Sequence, residues 1–122
     1  MPEILPEFAP GTDVTFTASA AITGGQLVAI TGNETVGPAG TATATAWRGV
    51  AAHDAANGAK VLVLSGCVIT LAASGAIAAG AQVVPAASGA VATIGAETDF
   101  TKVVGIAESA AASNLVRVKL AR

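Results

Sequence analysis

One sequence pattern occurs twice in this chain. The segment 21–28, AITGGQLV, returns 55 residues later as AIAAGAQV at 76–83. Further matches follow in the same order: RGVA at 48–51 with VGIA at 104–107, Val61 with Val116, and Val63 with Val118. Such a repeat predicts a unit of structure that is built twice, at about 20–64 and 75–120.

Within each unit the residue pattern is typical of short strands separated by turns. Residues 14–18 alternate between apolar side chains and threonine, and residues 116–120 alternate between apolar and basic side chains. This period of two is that of a strand with one buried face. The alternating TATATA at 41–46 predicts a further strand. Gly32-Asn33 and Ser88-Gly89 lie between strand-like runs, so hairpins are expected at both.

We therefore predict an all-β fold, a small β-sandwich or barrel made from two repeated strand units. Residues 20–122 would form this single domain, and residues 1–19 would provide an extended N-terminal arm and the first strand. The alanine-rich stretches 51–59 and 107–113 have high helix propensity, and each predicts a short turn of helix.

The N-terminal arm is the first candidate contact surface. A proline occurs at every fourth position from 2 to 10, and proline removes a backbone donor and disfavours helix at the preceding residue. Ile4, Leu5 and Phe8 lie between these prolines and need an apolar surface to cover them. Trp47 and Arg48 form the second candidate, because aromatic residues and arginine dominate binding hot spots. The alternative for Trp47 is a core residue that caps a small barrel.

The composition favours a component of an assembly. Charged residues make up 11% of the chain and apolar residues 52%, with a mean hydropathy of +0.67. A lone monomer of this composition would expose much apolar surface, which subunits or a partner would cover. The alternative is that many small alanines raise the hydropathy without exposing much apolar area. The net charge is −2 and the six Lys and Arg residues are scattered, so nucleic acid is not an expected partner.

Candidate catalytic and ligand-binding groups are few. His53, the only histidine, is followed directly by Asp54, and adjacent residues rarely face each other, so a turn is the expected role and no enzyme activity is predicted. One Cys and one His exclude a structural zinc site within a chain, although Glu97 and Asp99 have the spacing to share a weakly bound cation. Cys67 lies in an apolar run, where packing is the expected role. We expect no cofactor.

A membrane span and a secretory signal are also not expected. The stretch from Lys60 to Glu97 has no charged residue between its ends, but glycines and Pro85 divide it into pieces the length of strands. The N-terminal segment has no positively charged region and no long apolar region, so synthesis in the cytoplasm is expected.

The repeated residues resemble those of the phage capsid cement family, small head decoration proteins with a twofold internal pattern. The segments that carry the resemblance lie between about residues 20 and 120: AITGGQLV, RGVAAHDAANGAKVLVLSG, AIAAGAQVV and VGIAESAAASNLVRVKL. The first twelve residues depart from the family pattern, since their prolines make a longer and stiffer arm.

This resemblance implies a compact domain of the β-tulip kind, often trimeric. It implies a structural protein that binds the major capsid protein on the outside of the assembled, expanded head and stabilises it, with the virion as its location and the host cytoplasm as its place of synthesis. Two alternatives stay open from the sequence: a host-side, secreted β module for binding or adhesion, and a small hydrolase that uses His53.

Overall fold

The computed structural model describes residues 13–122, which form ten short strands and three 3-10 turns. The first five strands are β1 (Val14–Ala18), β2 (Leu27–Gly32), β3 (Thr35–Pro38), β4 (Trp47–Ala51) and β5 (Lys60–Leu64). The second five are β6 (Val68–Ala72), β7 (Gln82–Pro85), β8 (Val91–Thr93), β9 (Gly105–Ala107) and β10 (Leu115–Leu120). The predicted all-β fold from two repeated strand units is therefore confirmed. The predicted arm at residues 1–12 lies outside the described residues.

The first five strands close into a barrel in the order β1-β3-β2-β4-β5. β1 pairs antiparallel with β5 and parallel with β3, which joins the two ends of the sheet. The alternation at residues 14–18 explains the inward face, because Phe16 and Ala18 are buried whereas Thr15 is exposed.

The second five strands repeat the pairings of the first. Their order is β6-β10-β9-β7-β8, and a parallel bridge between Ala73 and Val91 joins the two ends. This bridge matches the pairing of Ala18 with Val36 in the barrel, 55 positions earlier. Each unit therefore includes a leading strand, β1 or β6, that lies before the repeated sequence motif.

Gly49 and Gly105 occupy matching positions in the two halves, on β4 and β9. A Cβ atom at Gly49 would collide with the carbonyl oxygen of Leu64, and one at Gly105 with the carbonyl oxygen of Lys119. The glycine of each repeated Gly-Val/Ile-Ala step is thus required because the neighbouring strand's backbone lies directly against it.

The buried residues form two clusters. The smaller cluster fills the first barrel and consists of Phe16, Ala18, Ile22, Val28, Val36, Ala51, Ala55, Val61 and Val63. The larger cluster fills the second half but also includes five residues of the first half, Leu27, Ala29, Ala39, Trp47 and Val50. The outer side of β2 and β4 is therefore buried against the second half, which holds the two halves together.

Three local predictions from the sequence meet different outcomes. Both hairpins are confirmed, with β2 and β3 joined near Asn33 and β7 and β8 joined by a 3-10 turn at Ala87–Gly89. The strand predicted at 41–46 is wrong, because Thr41–Ala46 is a 3-10 turn in which the Thr43 hydroxyl accepts a hydrogen bond from the Gly40 amide at 3.1 Å.

The short helices predicted at 51–59 and 107–113 are also wrong. In the first stretch, Ala55 exchanges both backbone hydrogen bonds with Ile22, so pairing with a distant segment overrides the helix propensity of alanine. In residues 13–122, no helix has the length and apolar character needed to cross a membrane.

Candidate functional site

The predicted contact residues fall in three different places. Ile4, Leu5 and Phe8 lie outside the described residues. Trp47 is only 2% exposed and packs in the larger core, where the guanidinium of Arg122 stacks 4.3 Å from its ring. This position favours the alternative of a core tryptophan, because its side chain presents almost no surface to a partner.

Arg48 does not share the environment of Trp47. The two residues are neighbours on β4, where the pairing with β2 shifts in register, and their side chains contact different parts of the molecule. The guanidinium of Arg48 lies 5.2 Å from the centre of the Phe16 ring, in a half-buried position on the first barrel. The structure therefore does not bring Trp47 and Arg48 together into one patch.

An exposed surface that we did not predict covers the outer side of β7 and β9, and we call it the β7–β9 face. It consists of Gln82, Val103, Ile106 and Lys119, which line a shallow depression, with Phe100 at its edge. Ile106 is 49% exposed and Phe100 is 68% exposed. These two exposed apolar side chains make the β7–β9 face a candidate contact surface.

The repeat in the sequence contains the information that Ile106 faces outward. In the first half, Leu27 on β2 pairs with Val50 on β4. In the second half, Gln82 on β7 pairs with Ile106 on β9 in the same way, so Gln82 matches Leu27 and Ile106 matches Val50. A comparison of the two units would have identified Ile106 as an outward-facing residue. The sequence does not reveal that this face is left uncovered.

His53 lies in an exposed loop between β4 and β5. Its ring nitrogen Nδ1 is 2.9 Å from the carbonyl oxygen of Asp54, and Nε2 accepts a hydrogen bond from the amide of Leu62 at 3.3 Å. The Asp54 carboxylate instead accepts from the amide of Gly24 at 2.7 Å. Both side chains thus hold loop backbone in place, and the carboxylate does not orient the imidazole as it would in a catalytic pair.

Glu97 and Asp99 are engaged with their own turn. The Glu97 carboxylate forms an ion pair with Lys102 at 3.0 Å and accepts from the amides of Thr98 and Asp99. The Asp99 carboxylate accepts from the amide and hydroxyl of Thr101. Hydrogen bonds from the Asp99 amide and from Lys102 lower the pKa of Glu97, and those from Thr101 lower the pKa of Asp99.

These interactions leave little for a cation to bind. In the stretch from 13 to 122, no three His, Cys, Asp or Glu side chains are grouped so that they could hold a metal ion. Cys67 is partly buried and packs against the larger core.

The profile of the phage cement protein family matches residues 8–121, nearly the whole chain. The chain belongs to the phage cement protein family. Its role is therefore that of a structural protein associated with the phage capsid, and the virion capsid is its location.

A solved structure supports the fold of this cement-family chain. The chain is similar to the head fiber gp8.5 N base of bacteriophage phi29, with a TM-score of 0.67 and 20% sequence identity over 90% of this chain and 93% of that one. At this identity the similarity establishes the fold alone. Comparison with curated protein sequences gave no match.

Proposed function

We propose that this chain is a head decoration protein that binds the major capsid protein on the outside of the assembled capsid and stabilises it without catalysing a reaction. The observation that carries the proposal is the family match over residues 8–121. The low charge of the chain and the exposed apolar side chains on the β7–β9 face support it, since both are expected of a surface that is covered in an assembly.

The proposed mechanism is thermodynamic linkage. A protein that binds only the assembled and expanded shell stabilises that state by RT ln(1 + [L]/Kd), which is about 2.7 kcal/mol per site at a free concentration of 100 times Kd. No catalytic group is needed, and self-association into a trimer would multiply the contacts of each decoration unit with the shell. Synthesis in the host cytoplasm followed by addition to finished heads fits this mechanism.

The direct test is co-sedimentation of the purified protein with expanded, undecorated heads of its phage, followed by heating of the decorated and bare heads. We expect saturable binding and a higher temperature of head disruption. Binding to unexpanded heads with equal affinity would contradict the linkage mechanism. Lack of binding to either form would contradict the proposed function.

We also propose that Ile4, Leu5 and Phe8 contact the capsid or a neighbouring decoration subunit. Twelve residues in an extended, proline-rich conformation span roughly 35 Å at about 3.1 Å per residue. Each apolar side chain, if fully covered, would contribute about 1.5–3 kcal/mol. The family match begins at Phe8, so at least the end of the arm is shared with the family.

Deletion of Met1–Thr12 tests this contact. We expect the melting temperature of the isolated protein to stay nearly the same and its binding to expanded heads to weaken by at least about tenfold, or roughly 1.4 kcal/mol. Phe8→Ala should reproduce part of the loss, with Glu7→Ala as the matched control. Unfolding of the truncated protein would place the arm in the core, and unchanged binding would place the interface on the β-strands.

A further inference from the structure

Asn57 and Gly58 are the one Asn-Gly pair in the sequence. Such a pair is chemically labile, because the main-chain nitrogen after the asparagine can attack the side-chain carbonyl carbon, and glycine has no side chain to hinder the approach. The new C–N bond closes a succinimide ring, and the side-chain nitrogen leaves as ammonia. Water then opens the ring to aspartate or to isoaspartate, in which the main chain runs through the side-chain carbon.

The structure places this pair at the tip of the loop between β4 and β5. The amide of Ala59 donates to the carbonyl oxygen of Ala56 at 2.9 Å, which closes a tight turn with Asn57 and Gly58 at its centre. The φ of Gly58 is 87°, a left-handed conformation that favours glycine. Both residues are exposed, so the Asn57 side chain is open to the water that hydrolysis of the ring requires.

The nitrogen that would attack is engaged in the folded protein. The Gly58 amide donates to the carbonyl oxygen of Ala18 at 2.8 Å, and the Ala18 amide donates to the carbonyl oxygen of Ala59 at 2.8 Å. Ala18 is the last residue of β1 and is only 1% exposed. The Gly58 nitrogen must lose its proton and turn toward the Asn57 side chain before it attacks. Both steps require that its hydrogen bond to Ala18 is first broken.

We propose that Asn57 is a site of spontaneous conversion to isoaspartate and that the hydrogen bond from Gly58 to Ala18 controls its rate. The rate in the folded protein is then the rate in an unconstrained chain multiplied by the fraction of time that the loop is open. Exchange of the Gly58 amide hydrogen with solvent requires the same opening. The fold should therefore slow both reactions by a similar factor.

Two contacts nearer the start of the loop limit how often it opens. The Asp54 carboxylate accepts a hydrogen bond from the Gly24 amide at 2.7 Å, and Ala55 exchanges both main-chain hydrogen bonds with Ile22. Both contacts attach the loop to the segment that precedes β2. Because the first is made by a side chain, a substitution of Asp54 can loosen the loop without changing the Asn-Gly pair itself.

Conversion to isoaspartate should also affect the first barrel. The isomer adds a methylene group to the main chain at position 57, so the turn that aligns Gly58 and Ala59 with Ala18 becomes longer. Ala18 then loses at least one of its two hydrogen bonds to the loop. Ordinary aspartate at this position adds the same negative charge without lengthening the main chain, which separates the effect of the backbone from that of the charge.

The second half of the chain contains an internal control. In the loop between β9 and β10, the carbonyl oxygen of Asn114 accepts from the amide of Ala73 at 2.8 Å, as that of Ala59 accepts from Ala18. Asn114 is followed by Leu115 instead of glycine, and the leucine side chain hinders the attack. Asn114 should therefore stay unmodified in both the folded and the unfolded chain while Asn57 reacts.

The test is incubation of the purified full-length protein at neutral pH, with mass spectrometry of its peptides to follow deamidation at Asn57. We expect the folded protein to react at least about tenfold more slowly than the same chain unfolded in urea, as for an amide that reacts only through local opening. Hydrogen exchange at Gly58 should be slowed by a similar factor. The fraction that contains isoaspartate should melt at a lower temperature than the wild type, whereas Asn57→Asp should not.

Asp54→Ala tests the control of the rate by the loop. It should speed deamidation at Asn57 and hydrogen exchange at Gly58 together, by at least about threefold, because the loop opens more often. Glu108→Ala is the matched control, since it removes an acidic side chain from the corresponding loop of the second half. Circular dichroism checks that both variants are folded. If Asp54→Ala does not fold, urea below the unfolding transition of the wild type opens the loop instead, and the two rates should again rise together.

Three results would overturn the inference. Equal deamidation rates in the folded and unfolded chain would show that the bond to Ala18 does not protect Asn57. An unfolded chain that stays unmodified would show that Asn57 is not a modification site. Faster hydrogen exchange at Gly58 without faster deamidation would show that another step controls the reaction. None of these outcomes bears on binding to the capsid, so the proposed function is tested separately.

Discussion

The two halves of the chain share their strand pairing but differ in their surroundings. Phe16 pairs with Val61 in the first half as Leu71 pairs with Val116 in the second, in the same register. The inward-facing residues have changed only among apolar types, because in each half they fill a packed core. The outward-facing residues have diverged from Leu27 to Gln82, because the contact between the halves covers this outer surface only in the first half.

This difference shows which constraints act on a repeated unit. Packing inside each unit and the close approach of neighbouring backbones act on both copies. Contact between the units covers the outer side of β2 and β4 in the first half but not the matching β7–β9 face in the second, which is free to acquire a partner. Substitutions at matching positions can test first the features that the halves share and then those in which they differ.

The largest effect is expected from the glycines that both halves require. Gly49→Ala and Gly105→Ala each place a methyl group against a backbone carbonyl of the adjacent strand. The carbonyl cannot move without disturbing the pairing of β5 or β10, so each variant should lose at least about 3 kcal/mol of stability, the upper part of the range for overpacking. Urea denaturation measures this loss.

Gly40→Ala is the control for these substitutions. Gly40 has an extended backbone, and a Cβ atom there would have no neighbour within 4 Å. Its stability should stay within about 0.5 kcal/mol of the wild type. If Gly49→Ala were destabilising and Gly105→Ala were not, the second half would be more loosely packed than its matching register implies.

The next largest effect concerns the outer faces, where the halves should respond differently. Leu27→Ala removes a fully buried side chain from the contact between halves and should cost about 2–5 kcal/mol. Gln82→Ala, at the matching exposed position, should change the stability of the monomer by no more than about 0.5 kcal/mol. Denaturation at low protein concentration compares the two. Equal losses would mean that the β7–β9 face is already covered within one chain.

The sequence predicted most reliably the elements whose residues face a core within their own unit. At 116–120, the buried residues are Val116, Val118 and Leu120, and the basic residues between them are exposed. The hairpins near Asn33 and Ser88 were also predictable, because left-handed residues in a tight turn are restricted to few amino-acid types.

The sequence was misleading where local patterns compete with backbone hydrogen bonding. The alternation at 41–46 is equally compatible with a 3-10 turn, because the Thr43 hydroxyl can bind the backbone in place of a partner strand. The exposure of Ile106 was not predictable either. It depends on how one unit docks on the other, and the two units have nearly the same pattern at this position.

A smaller effect is expected at His53, in a loop whose counterpart in the second half has Ser109 at the matching position. His53→Ala removes the acceptor for the Leu62 amide but leaves the other loop contacts, and the site is exposed. We expect a stability change of about 0.5 kcal/mol and unchanged binding to expanded heads. Lost binding by a folded variant would identify a functional site in this loop.

The smallest effect is expected from lowering the pH, which should weaken the 3-10 turn of the second half but not that of the first. The turn at Phe100–Lys102 is held by the carboxylates of Glu97 and Asp99. A hydrogen bond from the Asp99 amide is the main cause that lowers the pKa of Glu97, and hydrogen bonds from Thr101 lower the pKa of Asp99. A carboxylate with a lowered pKa in the folded state adds stability above its unfolded pKa, and this stability is lost as the pH falls through the folded value. Asp99 is exposed and Glu97 is partly exposed, so the loss should be small and should shrink further with added salt.

The matching turn at Thr41–Ala46 provides the internal control, because it uses the neutral hydroxyl of Thr43 in place of a carboxylate. In an NMR titration, the amide signals of Thr101 and Asp99 should shift with midpoints below the ordinary values for Asp and Glu, whereas the Gly40 amide should not follow this titration. Asp99→Asn should abolish the response of Thr101 and slightly lower the melting temperature at pH 7 but not at pH 2. Midpoints at ordinary values would show that these hydrogen bonds do not persist in solution.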